Sequence, residues 1–174
     1  MLTPRDGIVL IGMAGVGKST VGYALSKALK FDFTDLDKYI RIKDGLTVQE
    51  ILNSHGEEYL LRLEDRRMRE LDLHHRVVAP GGSVIYLPDL MEYLKKRAII
   101  VHLECDFPTI AGRLTDVESR GIIGYKHKSL REIYDERKPL YVRHSDITWD
   151  TQDKAANVIA SEIACWCQGL QPQH

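Results

Sequence analysis

The chain predicts an α/β domain: a five-stranded parallel sheet flanked by helices on both faces. Two observations predict it. Five short apolar runs, rich in β-branched residues, alternate with stretches of helical spacing, the order expected of strand–helix–strand units. The first run, Gly7-Ile8-Val9-Leu10-Ile11, leads directly into a glycine-rich loop and then an amphipathic segment, which is how a buried strand feeds a parallel sheet. The length of 174 residues fits one domain, 1–174, large enough to bury a real core.

The elements follow in order. Residues 7–11 form the first strand. From Lys18 to about Leu29, Val21, Leu25 and Leu29 share one helical face. Phe31 to Thr34 reads as a short strand ending in Asp35-Leu36-Asp37. Helices are expected over 36–44 and 47–54, the second opened by a Thr47/Glu50 capping box. A longer helix is expected from Glu57 to Leu73, then a third strand, Arg76-Val77-Val78-Ala79, closed by Pro80-Gly81-Gly82. Leu87 to Lys96 is helical, and Ala98 to Leu103 is the clearest buried strand. Pro108 to Leu114 is helical. The stretch 115–128 has no apolar period and contains Gly121 and Gly124, so it reads as a mobile loop. A helix from Ser129 to His144, a strand from Asp146 to Trp149 and a closing helix from Asp153 to Trp166 complete the chain.

Composition removes several classes of function. Lys and Arg number 24 against 25 Asp and Glu, a net charge of −1. Such balance provides no general field for nucleic acid. No apolar run approaches the roughly 18 residues of a membrane span, and the start Met1-Leu2-Thr3-Pro4-Arg5-Asp6 lacks a signal-peptide pattern. Cys105, Cys165 and Cys167 are too few for a disulfide framework, and Cys165-Trp166-Cys167 lacks the spacing of a zinc site. They read as buried or tail thiols of a cytoplasmic protein. His74-His75 falls at the expected end of the long helix, where cationic residues favour the dipole, and reads as a surface cap rather than a metal site.

The strongest chemical signal is Gly12-Met13-Ala14-Gly15-Val16-Gly17-Lys18-Ser19, a full G-x-x-x-x-G-K-[ST] match between a strand and a helix. Its glycines let successive N–H groups of Gly12, Ala14, Gly15, Val16, Gly17 and the following Lys18, Ser19 and Thr20 turn toward an anion. The helix start adds its positive dipole end. Lys18 can reach the outer phosphates of a nucleotide, and Ser19 can ligate Mg²⁺. The N-K-x-D motif of a guanine-specific GTPase is missing, and the third strand ends in Pro80 rather than an acid. A short chain with an early P-loop and an acidic pair after its second strand points to a small-molecule kinase using ATP and Mg²⁺.

Taken together, these motifs resemble the shikimate kinase family, a group of P-loop kinases. The resemblance rests on Gly12–Ser19, Asp35-Leu36-Asp37, Gly56-Glu57 followed by Glu64, Pro80-Gly81-Gly82, Arg120 and Arg137-Lys138-Pro139-Leu140-Tyr141, in order and at the family's spacing. It implies the P-loop kinase fold with a mobile lid over about 115–128, and a chain that works as a monomer. It implies that Lys18, Asp37 and Arg120 are catalytic: Asp37 as the base toward the acceptor hydroxyl, Arg120 as the lid arginine closing on the phosphates. Asp35 is implied to hold Mg²⁺ with Ser19, Arg113 to stack on adenine, and Arg137 to pair with an acceptor carboxylate. Glu64, Gly81 and Gly82 are implied to line the acceptor site. Each has a plainer alternative: Asp35 and Asp37 also suit helix N-caps, and Arg113, Arg120 and Arg137 also suit solvated faces.

Two positions depart from the family pattern. Leu60-Leu61 stands where the family reads Phe-Arg, so Leu61 replaces a second arginine clamp on the acceptor carboxylate. Glu57, Leu61 and Glu64 share a helical face, whereas Arg62 lies about 100° round the helix and is no substitute. Pro80 replaces the first of three glycines, removing one N–H. Gly121-Ile122-Ile123 also follows Arg120 where the family has a proline and two leucines. The expected activity is therefore transfer of the γ-phosphate of ATP to a hydroxyl of a small molecule, shikimate or a different acceptor. A catalytically silent nucleotide-binding module on the same fold is the alternative. Tyr39, Tyr59, Tyr86 and Tyr125 are candidates for lining the acceptor pocket that sequence cannot place.

Overall fold

The computed structural model describes residues 5–116 and 120–170. Five strands, β1 (Gly7–Ile11), β2 (Asp32–Asp35), β3 (Arg76–Ala79), β4 (Ala98–Glu104) and β5 (Ile147–Asp150), form one sheet in the order β2-β3-β1-β4-β5. Every pairing is parallel: Ile8 sits opposite both Val77 and Ile99, and Val101 opposite Ile147. All five residues of β1 are buried, as expected of a central strand covered on both faces. The chain leaves β1 toward β3 and β2, then crosses back to β4 and β5, so strand order reverses at β1. Ligands of open α/β sheets bind outside the carboxyl ends of the strands at such a point.

The helices are α1 (Lys18–Leu29), α2 (Leu36–Asp44), α3 (Val48–His55), α4 (Glu57–Arg69), α5 (Pro88–Lys95), α6 (Phe107–Arg113), α7 (Leu130–His144) and α8 (Ala156–Leu170), with a 3₁₀ turn at Val84–Tyr86. Helix α1 packs on α8 and against β1, β2 and β3, while α5 and α7 pack against β4. The Thr47/Glu50 capping box forms as expected, and Ser129 with Glu132 makes a second at the start of α7. Pro139 lies inside α7, which remains helical to His144. Among the described residues no helix is long and apolar enough to cross a membrane.

Several boundaries differ from expectation, most of them by one residue, and α8 runs on to Leu170 rather than ending at Trp166. Helix α4 stops at Arg69, not Leu73. Leu60, Leu63 and Met68 keep its buried face, but Leu73 is off that phase and is nonetheless buried. The chain reaches it by turning, with the Asp72 carboxylate accepting the His74 N–H at 3.0 Å, a local bond that competes with helix. His74 and His75 are therefore not helix caps. Helix α8 begins at Ala156, not Asp153, because Asp153 is left-handed at φ 55°. The expected lid includes 117–119, which lie outside the described residues. Its remainder is folded down: Ile122 and Ile123 are buried, and the N–H groups of Gly121 and Gly124 donate to Gln49 Oε1 and Glu57 Oε1 at 2.7 and 2.8 Å.

Candidate active site

The loop after β1 has the shape its glycines permit. Gly12, Gly15 and Gly17 adopt φ of 150°, 82° and 106°, a region that side chains disfavour. A Cβ on Gly12 would lie 2.5 Å from the Leu103 carbonyl oxygen. Lys18 starts α1 and turns back across the loop, donating to the carbonyls of Gly12 and Met13 at 2.8 and 3.0 Å. Burial lowers its ammonium pKa to about 8, opposed by the charge of Asp37.

Asp35 does two things at once. One carboxylate oxygen caps α2 by accepting the Lys38 N–H at 3.2 Å, and the other accepts the Ser19 hydroxyl at 2.5 Å. The capping alternative is thus true and does not exclude a metal role. A hydroxyl and a carboxylate at the mouth of a phosphate loop form the hard oxygen set that Mg²⁺ prefers. Asp37, in the first turn of α2, opens to the cleft. Crowding by its walls, and then the neighbouring Asp35 charge, push its pKa up to about 6.

These groups line a cleft of about 310 Å³. Of the expected residues, Ala14, Gly15, Gly17, Lys18, Ser19, Thr20, Asp35, Asp37, Glu64, Gly81, Gly82, Arg113, Arg120 and Arg137 all face it. Pro80 lines it as expected, and Val48, Ser83, Ile122 and Ile123 join without having been expected. Gly12 shapes the loop from below rather than lining the cleft. A second hollow of about 300 Å³ shares Gly15, Gly17, Thr20 and Arg113 with the cleft and is lined further by Val16, Thr151, Lys154 and Ile159, among others. Arg113 borders both spaces, with Nη1 at 3.3 Å from the carbonyls of Gly15 and Val16.

The wall opposite the loop departs most from expectation. Glu64 is 2% exposed; its Oε2 accepts the Ser83 hydroxyl at 2.7 Å, and Oε1 lies beneath Gly81. Burial raises its pKa to about 7, with the Ser83 bond opposing. Leu61 does not line the cleft as expected; one turn before Glu64, it is half-buried and packs against the hydrophobic core. Arg62 pairs with Glu58 on the exposed side of α4, as its helical phase requires. Glu57 serves the folded-down segment through Gly124 rather than the cleft.

Arg137 is only 1% exposed. Its Nη2 donates to the Ile123 carbonyl at 2.8 Å and its Nε to the Tyr86 hydroxyl at 3.3 Å. Tyr86 in turn donates to Glu136 at 2.5 Å. Tyr141 donates to the Gly82 carbonyl at 2.7 Å and stacks on buried His102, whose pKa burial lowers to about 4. Of the four candidate tyrosines, Tyr86 reaches this wall through Arg137. Tyr39 bonds Glu70, and Tyr59 stacks on His55. Sequence reasoning missed Ser83, whose signal was its place beside Gly82, and gave no role to Tyr141, which it held only as the end of the Arg137–Tyr141 motif.

A family model for shikimate kinase matches residues 14–168. The shikimate kinase of Caldanaerobacter subterraneus subsp. tengcongensis is 35% identical over 159 residues, covering 90% of this chain and 92% of that protein. Among solved structures, shikimate kinase from Acinetobacter baumannii in complex with shikimate superposes with a TM-score of 0.89 at 29% identity, covering 98% of this chain and 97% of that one. Shikimate kinase from Aquifex aeolicus gives a TM-score of 0.81 at 27% identity, covering 93% and 96%.

Proposed function

The chain belongs to the shikimate kinase family and is a small-molecule kinase of that type, and from that premise we propose that it phosphorylates a hydroxylated acceptor other than shikimate. The carrying observation is the engagement of Arg137. A carboxylate is gripped best by two parallel N–H groups on one guanidinium edge. Here Nε and Nη2, which form one such edge, are committed to Tyr86 and Ile123, which leaves a carboxylate only the Nη1 end, and Leu61 adds no second cation. The same wall carries Glu64, a buried carboxyl with a single neutral donor. A polyol or an amino alcohol brings hydroxyl and amino groups that can hydrogen-bond to the Glu64 carboxyl; a hydroxy acid sets its negative charge against a carboxyl that ionises above about pH 7.

The remaining groups take roles that their positions allow. The P-loop N–H groups and Lys18 hold the phosphates, and Asp37 lines the same cleft. Ser19 and Asp35 would hold Mg²⁺, which neutralises phosphate charge during transfer. Asp37, with a pKa of about 6, is ionised at neutral pH and takes the acceptor hydroxyl proton. Arg120 lies over the same cleft and adds positive charge where it develops. Arg113 and the second hollow beside the loop suit the nucleotide base, since a planar guanidinium stacks on aromatic faces. The protein works as one domain in the cytoplasm, on a small molecule, without nucleic acid or membrane partners.

The test is coupled ADP release with Mg-ATP against shikimate and a panel of hydroxy acids, polyols and amino alcohols. Turnover on a polyol or amino alcohol, with shikimate at least a hundredfold poorer, is expected. In Leu61→Arg, a long cation one turn before Glu64 should improve shikimate use about tenfold or more, the worth of one charged hydrogen bond. Efficient turnover of shikimate by the unaltered chain would reject the altered acceptor and leave the kinase reading intact.

A further inference from the structure

We propose that Asp6, His74 and His75 form a transition-metal site at the end of the sheet remote from the cleft. Asp6 precedes β1 and His75 precedes β3. These strands are parallel neighbours, with Ile8 opposite Val77, so the register carried back two residues sets Asp6 beside His75. The cleft lies at the other, carboxyl end of the same strands, and the two sites share no residue.

Three features of the backbone build the cluster. Gly7 has no side chain, and a Cβ there would stand 2.4 Å from the Leu73 carbonyl oxygen; the turn after α4 therefore lies directly against the start of β1. The Asp72 carboxylate fixes the His74 N–H, and the His75 carbonyl accepts the Asp32 N–H at 2.9 Å. His75 is left-handed, at φ 46°. In an extended chain, successive side chains point to opposite sides. The left-handed residue instead brings the two imidazoles together, with ring centroids 4.0 Å apart. His74 Nδ1 meets the Asp6 carboxylate, and one ligand atom from each of the three residues lies within 4.8 Å of the others.

Two imidazoles and a carboxylate are the ligands of Zn²⁺, Ni²⁺ and Cu²⁺ rather than of Mg²⁺. Tetrahedral zinc bonds of about 2.0–2.2 Å set ligand atoms about 3.3 Å apart. Rotation of the exposed His74 side chain supplies the contraction, while His75 is held by its backbone and by the Phe31 ring at 4.9 Å. Three protein ligands leave the remaining positions to water. Bound metal would tie the start of β1 to the turn between α4 and β3, and so favour the folded chain.

The experiment titrates Zn²⁺ into the untagged full chain by calorimetry at pH 7.5, with Mg²⁺ and ADP saturating the cleft. One Zn²⁺ per chain and a rise in Tm are expected. Asp6→Asn and His74→Ala should each lower affinity at least tenfold and abolish the Tm rise. His75→Gly does the same while keeping the left-handed backbone, so it separates loss of a ligand from loss of the fold. Failure of Zn²⁺ to saturate one site, or equal affinity in all three variants, overturns the proposal.

Discussion

Replacing Glu64 by Gln should make the stability of the protein less dependent on pH. The fold buries this carboxyl to 2% exposure and gives it one donor, the Ser83 hydroxyl. Burial moves its pKa from 4.5 to about 7. Between those values the folded chain keeps a proton that the unfolded chain has released, so stability falls as pH rises through that window. At 1.36 kcal/mol per pH unit, the loss approaches about 3 kcal/mol above pH 7. Gln still accepts from Ser83 and never ionises. The packing cost of the substitution is a constant offset, whereas the difference between variant and parent should grow by about 3 kcal/mol from pH 4.5 to pH 8. Urea unfolding of both proteins at pH 4.5, 6 and 8 measures it. A difference that stays flat to within about 1 kcal/mol across that range would refute the claim that Glu64 is held protonated by burial.

Other outcomes follow from the same geometry. The profile of kcat/KM against pH should be bell-shaped, with an acid limb near 6 as Asp37 protonates and an alkaline limb near 8 as Lys18 loses its charge; because Asp37 and Glu64 interact, the acid limb belongs to the pair. Asp37→Asn should lower kcat by about 10²–10⁴ and remove that limb. Gly121 sits at φ 62°, and a Cβ there would lie 2.7 Å from Val48 Cγ1. Gly121→Ala should cost about 1–3 kcal/mol locally, read as faster hydrogen exchange at the Gly124 amide that donates to Glu57. Gly7→Ala forces Leu73 away from β1 and should lower stability by about 1–3 kcal/mol, measured by thermal unfolding.

Adjacent residues carry their own signals, and these were legible. The strand–loop–helix unit around Gly12–Ser19 needs only glycine conformations, an apolar run and a helix start, all written within 25 residues. The Thr47/Glu50 box is equally local. The acidic pair at 35 and 37 was found, yet its geometry was not, because the Ser19 contact joins α1 to the end of β2. Apolar periodicity continues through Leu71 and so predicts a longer α4, while the Asp72 turn and the burial of Leu73 against β1 end the helix at Arg69.

The acceptor wall was the least legible part. Leu61 sits on the expected face of α4, yet the core rather than the cleft takes it. Arg137 was read as a free clamp; its partners Tyr86 and Ile123 lie 51 and 14 residues away, and no spacing rule links them. The histidine pair looked like a helix cap until the register of β1 and β3 set Asp6 beside it. By itself the sequence determined the phosphate-binding half of the molecule, because that chemistry is carried by consecutive backbone groups. Only the tertiary structure decided which charges are left free to meet an acceptor or a metal, because that depends on side chains brought together from separate elements.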